Sequence, residues 1–354
     1  MNPNSNIHLV KDAILHFEYV TKNIASHANV LDEKIYPQPS TYLTTHFVCM
    51  RVAGFDTVDF DTLTAVSGAS ALFGYEPGEF MPKYAHLNIG ISKRIERATG
   101  FGWERFQPRT PEECYQFIKE GVDSNRPVTS TFFEDILFSG YEENKGEPKV
   151  HVMTDGADYF IRWFGWKEFK RWFREWGDSG LGRHTERKKC LPEKDVAIRV
   201  ISDLVDWSTA PPENVVREYP GATFGLAGIE KYADDCENIK KFPDWRACHD
   251  INPQWITRNS TAIYLANTAE RGIFDHEVNE SLQRSSALFK DAYDHWREFY
   301  RLLGHVAPKK NGRNREIRAR GADTVRKALN AEKEALVELA SVSEKINMRS
   351  SDSR

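Results

Sequence analysis

The chain has 354 residues, 40% hydrophobic and 28% charged, with a formal net charge of −4 at pH 7. That length buries one large core or two moderate ones, two being the better expectation, and the mild acidity gives no general attraction to nucleic acid or anionic membrane. No apolar run approaches the roughly 18 residues of a membrane span, no basic stretch followed by an apolar block opens the chain, and five cysteines without a CxxC pair argue against a disulfide framework or a zinc ribbon; a cytoplasmic protein without metal or other cofactor is the default.

Residues 7–20 fit a strand or a short helix, and 21–36 a second helix. The Pro39-Ser40-Thr41 turn then opens a helix over about 41–53 that Gly54 ends. Tyr42, Leu43, Phe47, Val48, Cys49, Met50 and Val52 cover nearly all of its surface, and a helix apolar almost all round is a buried one. The loop-like stretch after Gly68, ASALFGYEPGEFMP, holds exposed-looking aromatics of the kind that line sites. A helix follows over about 88–98, and TGFGWERFQP carries a short strand. PEECYQFIKEGV starts with proline and acid and stops at Gly121, a helix signature. PVTSTFF, DILFSGYE and KVHVMTD read as strands, the last two joined by a hairpin at Lys145-Gly146.

From about Trp163 the pattern turns helical. Phe169, Trp172, Phe173 and Trp176 form one aromatic stripe ending at Gly177. Helices also follow Pro192 and Gly225 and run through WITRNSTAIYLANTAERG, with a proline-rich linker over 207–220. Leu282, Ser285, Phe289, Ala292, Trp296, Phe299 and Leu303 mark the clearest helix, over about 280–303, and Val325, Leu329, Leu336 and Leu339 mark a charged terminal one. The reading is therefore α+β: a mixed domain over 1–160, a helical domain over 161–345 and a disordered tail over 346–354.

The order of these features, carried by TYLTTHFVCMRVAGFD with LTAVSGASALFGY, then GVDSNRPV, then FEDILFSGYEENKGEPKVHV, resembles the papain-like cysteine peptidase fold in its double-glycine leader peptidase-like branch. More narrowly, it resembles the family of the butirosin biosynthesis protein H N-terminal domain, over roughly residues 39–175. That family's catalytic members place a Cys at the start of the central helix, a His on the strand before a Gly-Tyr-Asp and an Asp or Asn on the next strand, which is an activated nucleophile, its base and an orienting acceptor. Carried over by position, the resemblance implies Thr41 (or Ser40) for the Cys, Glu134 or its neighbour Asp135 for the His, and Asp155 for the third group, with His151 on the same strand. A threonine hydroxyl needs a stronger base than a carboxylate, so the resemblance implies a fold that has lost its triad or repurposed its cleft, and cysteine-peptidase activity is not expected.

Each candidate also has a structural reading. Ser40 and Thr41 suit a helix N-cap; Cys49 and His46 suit a buried thiol and a hydrogen-bonded core histidine; Glu134 and Asp135, adjacent on a strand, point to opposite faces. The basic residues beside Trp163–Trp176 suit a solvent face better than a base-stacking surface, and the run from Lys309 to Arg320 suits a solvated linker, so nucleic acid is not the expected partner. Two functional expectations follow. One is an acyltransferase- or amide-hydrolase-related protein acting on or binding a small molecule or peptide in an interdomain cleft lined by Ser40, Thr41, Phe73, Tyr75, Glu134 and Asp155. The other is a non-catalytic ligand-binding or structural protein on the same scaffold. The long aromatic-rich helices offer a face for a homo-oligomer, although a core face gives the same pattern.

Overall fold

A computed structural model describes residues 6–27, 41–77, 90–130, 136–143, 147–154, 160–177, 180–238, 240, 252–305 and 308–351. The chain divides into two compact units, and each is discontinuous: Met1–Phe60 with Thr99–Lys189, and Asp61–Ala98 with Cys190–Arg354. This differs from a single cut near residue 160. The segment 61–98 joins the C-terminal part of the chain, and 161–189 stays with the first unit.

The strands, in chain order, are β1 (Asn6–Leu9), β2 (Gly74–Tyr75), β3 (Trp103–Phe106), β4 (Val128–Ser130), β5 (Leu137–Glu143), β6 (Lys149–Thr154), β7 (Phe160–Gly165), β8 (Leu181–His184) and β9 (Thr223–Phe224). The helices are α1 (Ala13–His27), α2 (Thr41–Val52), α3 (Phe60–Ser67), α4 (Ile91–Thr99), α5 (Pro111–Asp123), α6 (Trp166–Trp176), α7 (Glu193–Trp207), α8 (Glu213–Glu218), α9 (Gly225–Glu237), α10 (Asn252–Glu270), α11 (His276–Tyr300), α12 (Pro308–Asn311) and α13 (Arg315–Ser351). No helix among the described residues is long and apolar enough to cross a membrane.

The first unit is an antiparallel seven-stranded sheet in the order β3-β8-β4-β5-β6-β7, with β1 pairing the second half of β5. The strands of the expected hairpin pair antiparallel as β5 and β6, from Leu137↔Met153 to Glu142↔Lys149, while its Lys145-Gly146 turn lies outside the described residues. Strands β7 and β8 fall where a helical domain was expected. FIRWFG is rich in aromatic and β-branched residues that favour strands, and it pairs antiparallel with β6 from Lys149↔Gly165 to Thr154↔Phe160. The stripe of α6 is only half a core face: Phe169 and Trp172 are buried against Phe138, whereas Trp176 is 42% exposed. Helix α5 starts as expected, with Thr110 Oγ1 accepting the Glu113 amide at 3.1 Å. It runs through Gly121 to Asp123, because this glycine serves close packing on Val128 and the Arg126 carbonyl, while the left-handed residue after the helix is Asn125 at φ 54°.

The second unit is helical, with a two-stranded β2–β9 pair. Its core joins Ala65 and Val66 of α3, Val200 and Leu204 of α7, Leu265 of α10, Leu282 and Phe289 of α11, and Leu336 and Leu339 of α13. Helix α11 starts at His276, earlier than its apolar stripe, because Asp275 caps it by accepting the Val278 amide at 3.2 Å. The proline-rich linker contains α8. The run Lys309–Arg320 is no solvated linker throughout: Arg318, in the first turn of α13, is buried and donates to the Gly312 and Asp235 carbonyls at 2.9 and 3.4 Å.

Candidate functional site

Helix α2 spans Thr41–Val52, so Thr41, the residue expected at the nucleophile position, is its first described residue. Ser40, Glu134, Asp135 and Asp155 lie outside the described residues. Thr41 belongs to the first unit, and Phe73 and Tyr75 belong to the second. Phe73 and Tyr75 come together on the ring of Tyr232, with centroids 6.3 and 5.1 Å away, and the Tyr75 hydroxyl donates to Asp235 Oδ2 at 3.1 Å. Both are core side chains, 1% and 2% exposed, which corrects their reading as exposed loop aromatics.

Farther along α2, His46 is fully buried between Tyr42 and Trp103, with ring centroids 4.1 and 4.2 Å away. Its Nδ1 lies 3.0 Å from the Tyr42 carbonyl, an acceptor only, so the tautomer present carries its proton on Nδ1 and donates it. Burial is the main cause that lowers its pKa to about 3, against the raising effect of that hydrogen bond. A neutral imidazole folded away from water has a linked cost in acid. The unfolded chain takes up the proton near pH 6.5 and the folded one only near 3, so stability is lost as pH falls between those values. Burial also lowers the pKa of His16, His151 and His184, so they add slope of the same sign. The urea midpoint is expected to fall across this window, and His46→Phe is expected to flatten the fall. An unchanged slope in the variant would exclude His46 as its source.

Cys49 follows His46 by one turn. Its thiol is 1% exposed and donates weakly to the Pro127 carbonyl at 3.8 Å, and burial pushes its pKa far above that of a free thiol. A thiol held protonated is no nucleophile. Cys114 and Cys236 are buried as well, and Cys190 is exposed. Under native conditions iodoacetamide is therefore expected to modify Cys190 while sparing Cys49, Cys114 and Cys236 until denaturant is added. Peptide mass mapping checks this, and native labelling of Cys49 would refute it.

The sheet contains a second polar pair. The β5–β6 register slips between Phe138 and Gly140, leaving Ser139 as the extra residue of a bulge opposite His151. Ser139 Oγ and His151 Nδ1 are 2.7 Å apart, both buried, and burial lowers the His151 pKa. Sequence reasoning missed Ser139, although a lone glycine inside a strand pattern, here Gly140, is a bulge signal.

In the second unit, Arg258 of α10 and Glu332 of α13 form a bidentate ion pair, Nε to Oε1 at 2.9 Å and Nη2 to Oε2 at 2.8 Å, with both side chains 4% exposed. Trp296 Nε1 of α11 donates to the same Oε1 at 2.8 Å. This triad ties three helices together, and its Arg258 and Glu332 border a cavity of about 20 Å³ that Ser70 and Phe73 also line. Among the described residues, no group of three or more His, Cys, Asp or Glu side chains could hold a metal ion. No protein-family model matches the chain, and no curated protein does either.

Proposed function

We propose that the protein is a divergent relative of the papain-like acyltransferases and amide hydrolases, and that it binds a small molecule or peptide without performing cysteine-type acyl chemistry. One observation carries this reading. On the central helix the thiol of Cys49 is buried and held protonated, one turn from a histidine that is buried and neutral. A thiolate–imidazolium pair needs both groups charged and the sulfur open to substrate, and the His46–Cys49 neighbourhood provides neither. The papain-like part of the reading rests on the order of motifs and is supported by a buried helix, Thr41–Val52, in the same unit as an antiparallel sheet.

Native mass spectrometry of the purified chain tests the proposal. The expected result is no covalent adduct after treatment with activated acyl esters at a residue of the first unit, together with a retained or added non-covalent ligand. A stoichiometric acyl adduct there would overturn it. A second reading rests on the resemblance, which puts Thr41 at the start of the central helix, where a helix N-terminus stabilises developing negative charge. On that reading Thr41 acts as an alcohol nucleophile, with Glu134 and Asp155 as its base and orienting group. Acyl transfer lost in Thr41→Ala but retained in Thr41→Ser would establish it.

A further inference from the structure

The short 3-10 turn Ala69–Ala71 follows Gly68, which is left-handed at φ 81°. The turn buries Ser70 to 4% exposure, and its Oγ has no hydrogen-bond partner among the described residues. A buried hydroxyl left unpaired costs about 1–3 kcal/mol, so its environment needs explaining. Ser70 lines the cavity of about 20 Å³ within the second unit. That is room for about one water molecule, which also needs two to four polar partners to be held.

The polar residues of the lining are Ser70, Ser208, Arg258 and Glu332. Ser208 donates its own hydroxyl proton to the Val205 carbonyl at 2.6 Å, which leaves its oxygen able to accept. Glu332 Oε2 accepts from Arg258 Nη2 at 2.8 Å, and a carboxylate oxygen accepts two such bonds. Ser70 can donate and accept. The rest of the wall is apolar, with Phe73, Leu204 and Leu336 among it. The charge on that wall selects the guest. Arg258 and Glu332 neutralise one another, so an anion entering the cavity would meet a buried carboxylate and a cation would meet a buried guanidinium.

We propose that this cavity is a binding site for one neutral, hydroxyl-sized molecule, water in the protein at rest, held by Ser70, Ser208 and Glu332. The guest satisfies the Ser70 hydroxyl and links the 3-10 turn to α13. The site lies within the second unit and does not depend on the function proposed above.

Crystallography of the full chain, with separate xenon and bromide soaks, decides occupancy. One ordered water within hydrogen-bond distance of Ser70 Oγ, with neither xenon nor bromide in the cavity, is expected. An empty cavity, xenon or bromide would each overturn the proposal, the last by showing that the site takes anions. Thermal melting of Ser70→Ala gives a second readout whose sign separates the alternatives. If the hydroxyl is satisfied by a bound guest, its loss lowers the midpoint by about 2–4 °C for a unit of this size, and Ser70→Thr, which keeps a hydroxyl, loses less. If the hydroxyl has no partner, its removal relieves a buried polar group and the midpoint rises, which would overturn the proposal. The wild-type crystal decides occupancy even if neither variant folds.

Discussion

Glu332→Ala is expected to lose about 3–5 kcal/mol of stability, enough to unfold the second unit under mild conditions. The carboxylate takes both parallel donors of Arg258 and the indole N–H of Trp296. Its removal leaves a guanidinium buried without its counter-charge and an indole N–H without its acceptor, in a core that admits little water. The loss is read from the urea midpoint, with far-ultraviolet circular dichroism reporting the helices. The double variant Arg258→Met/Glu332→Leu is expected to regain much of the loss, because removing both charges together avoids the uncompensated one. A single variant within about 1 kcal/mol of wild type would mean that the ion pair does not hold α10, α11 and α13 together.

Phe138→Ala is expected to be the comparable lesion in the first unit, at about 3–5 kcal/mol. Phe138 is fully buried on β5, edge-on to Phe169 at 6.2 Å and to Trp172 at 5.1 Å, so it joins the sheet to α6. Truncation removes the transfer energy of the ring and the edge-to-face contacts, and leaves a void between elements that cannot fully collapse. Near-ultraviolet circular dichroism should lose intensity with the falling urea midpoint as Trp172 loses its fixed surroundings. Phe138→Leu, which fills most of the volume, should lose less. If Phe138→Ala kept the wild-type midpoint, the α6–sheet interface would not be part of the cooperative core.

The elements with an unambiguous period were legible in the sequence. The C-terminal end of α2 is legible within a residue because Gly54, at φ 78°, suits the left-handed position that closes a helix. The β5–β6 hairpin was likewise clear. The discontinuous division was not, because the segment 61–98 has ordinary local patterns and its place is fixed by distant contacts, such as Phe73 on Trp296 with centroids 5.9 Å apart. Strand β7 is hidden by its neighbour: WKEFKRWFREW has so strong a helical stripe that the pattern reads as helical from about Trp163, within the strand. The buried ion pair did leave a trace. Glu332 falls three residues after Leu329 and four before Leu336, on the apolar stripe of α13 itself, and a carboxylate on a core stripe implies a buried partner. Of the residues proposed for the nucleophile corner, only Thr41 lies among the described residues, in α2; its chemical partners follow from resemblance and not from a period or a cap.

The interleaved units have a consequence for the order in which the chain is made. Phe73 leaves the ribosome long before Trp296, its stacking partner in the finished core. At about 5–20 residues per second, synthesis of the intervening stretch takes on the order of 10–45 s. During that interval Leu63, Val66, Leu72, Phe73 and Tyr75, all buried in the folded protein, have none of their C-terminal neighbours to pack against. Completing the first unit meanwhile requires the chain through Lys189, while the 61–98 segment belongs to the unit that is finished later. Vectorial synthesis thus leaves the apolar side chains of this segment waiting longest for the partners that bury them.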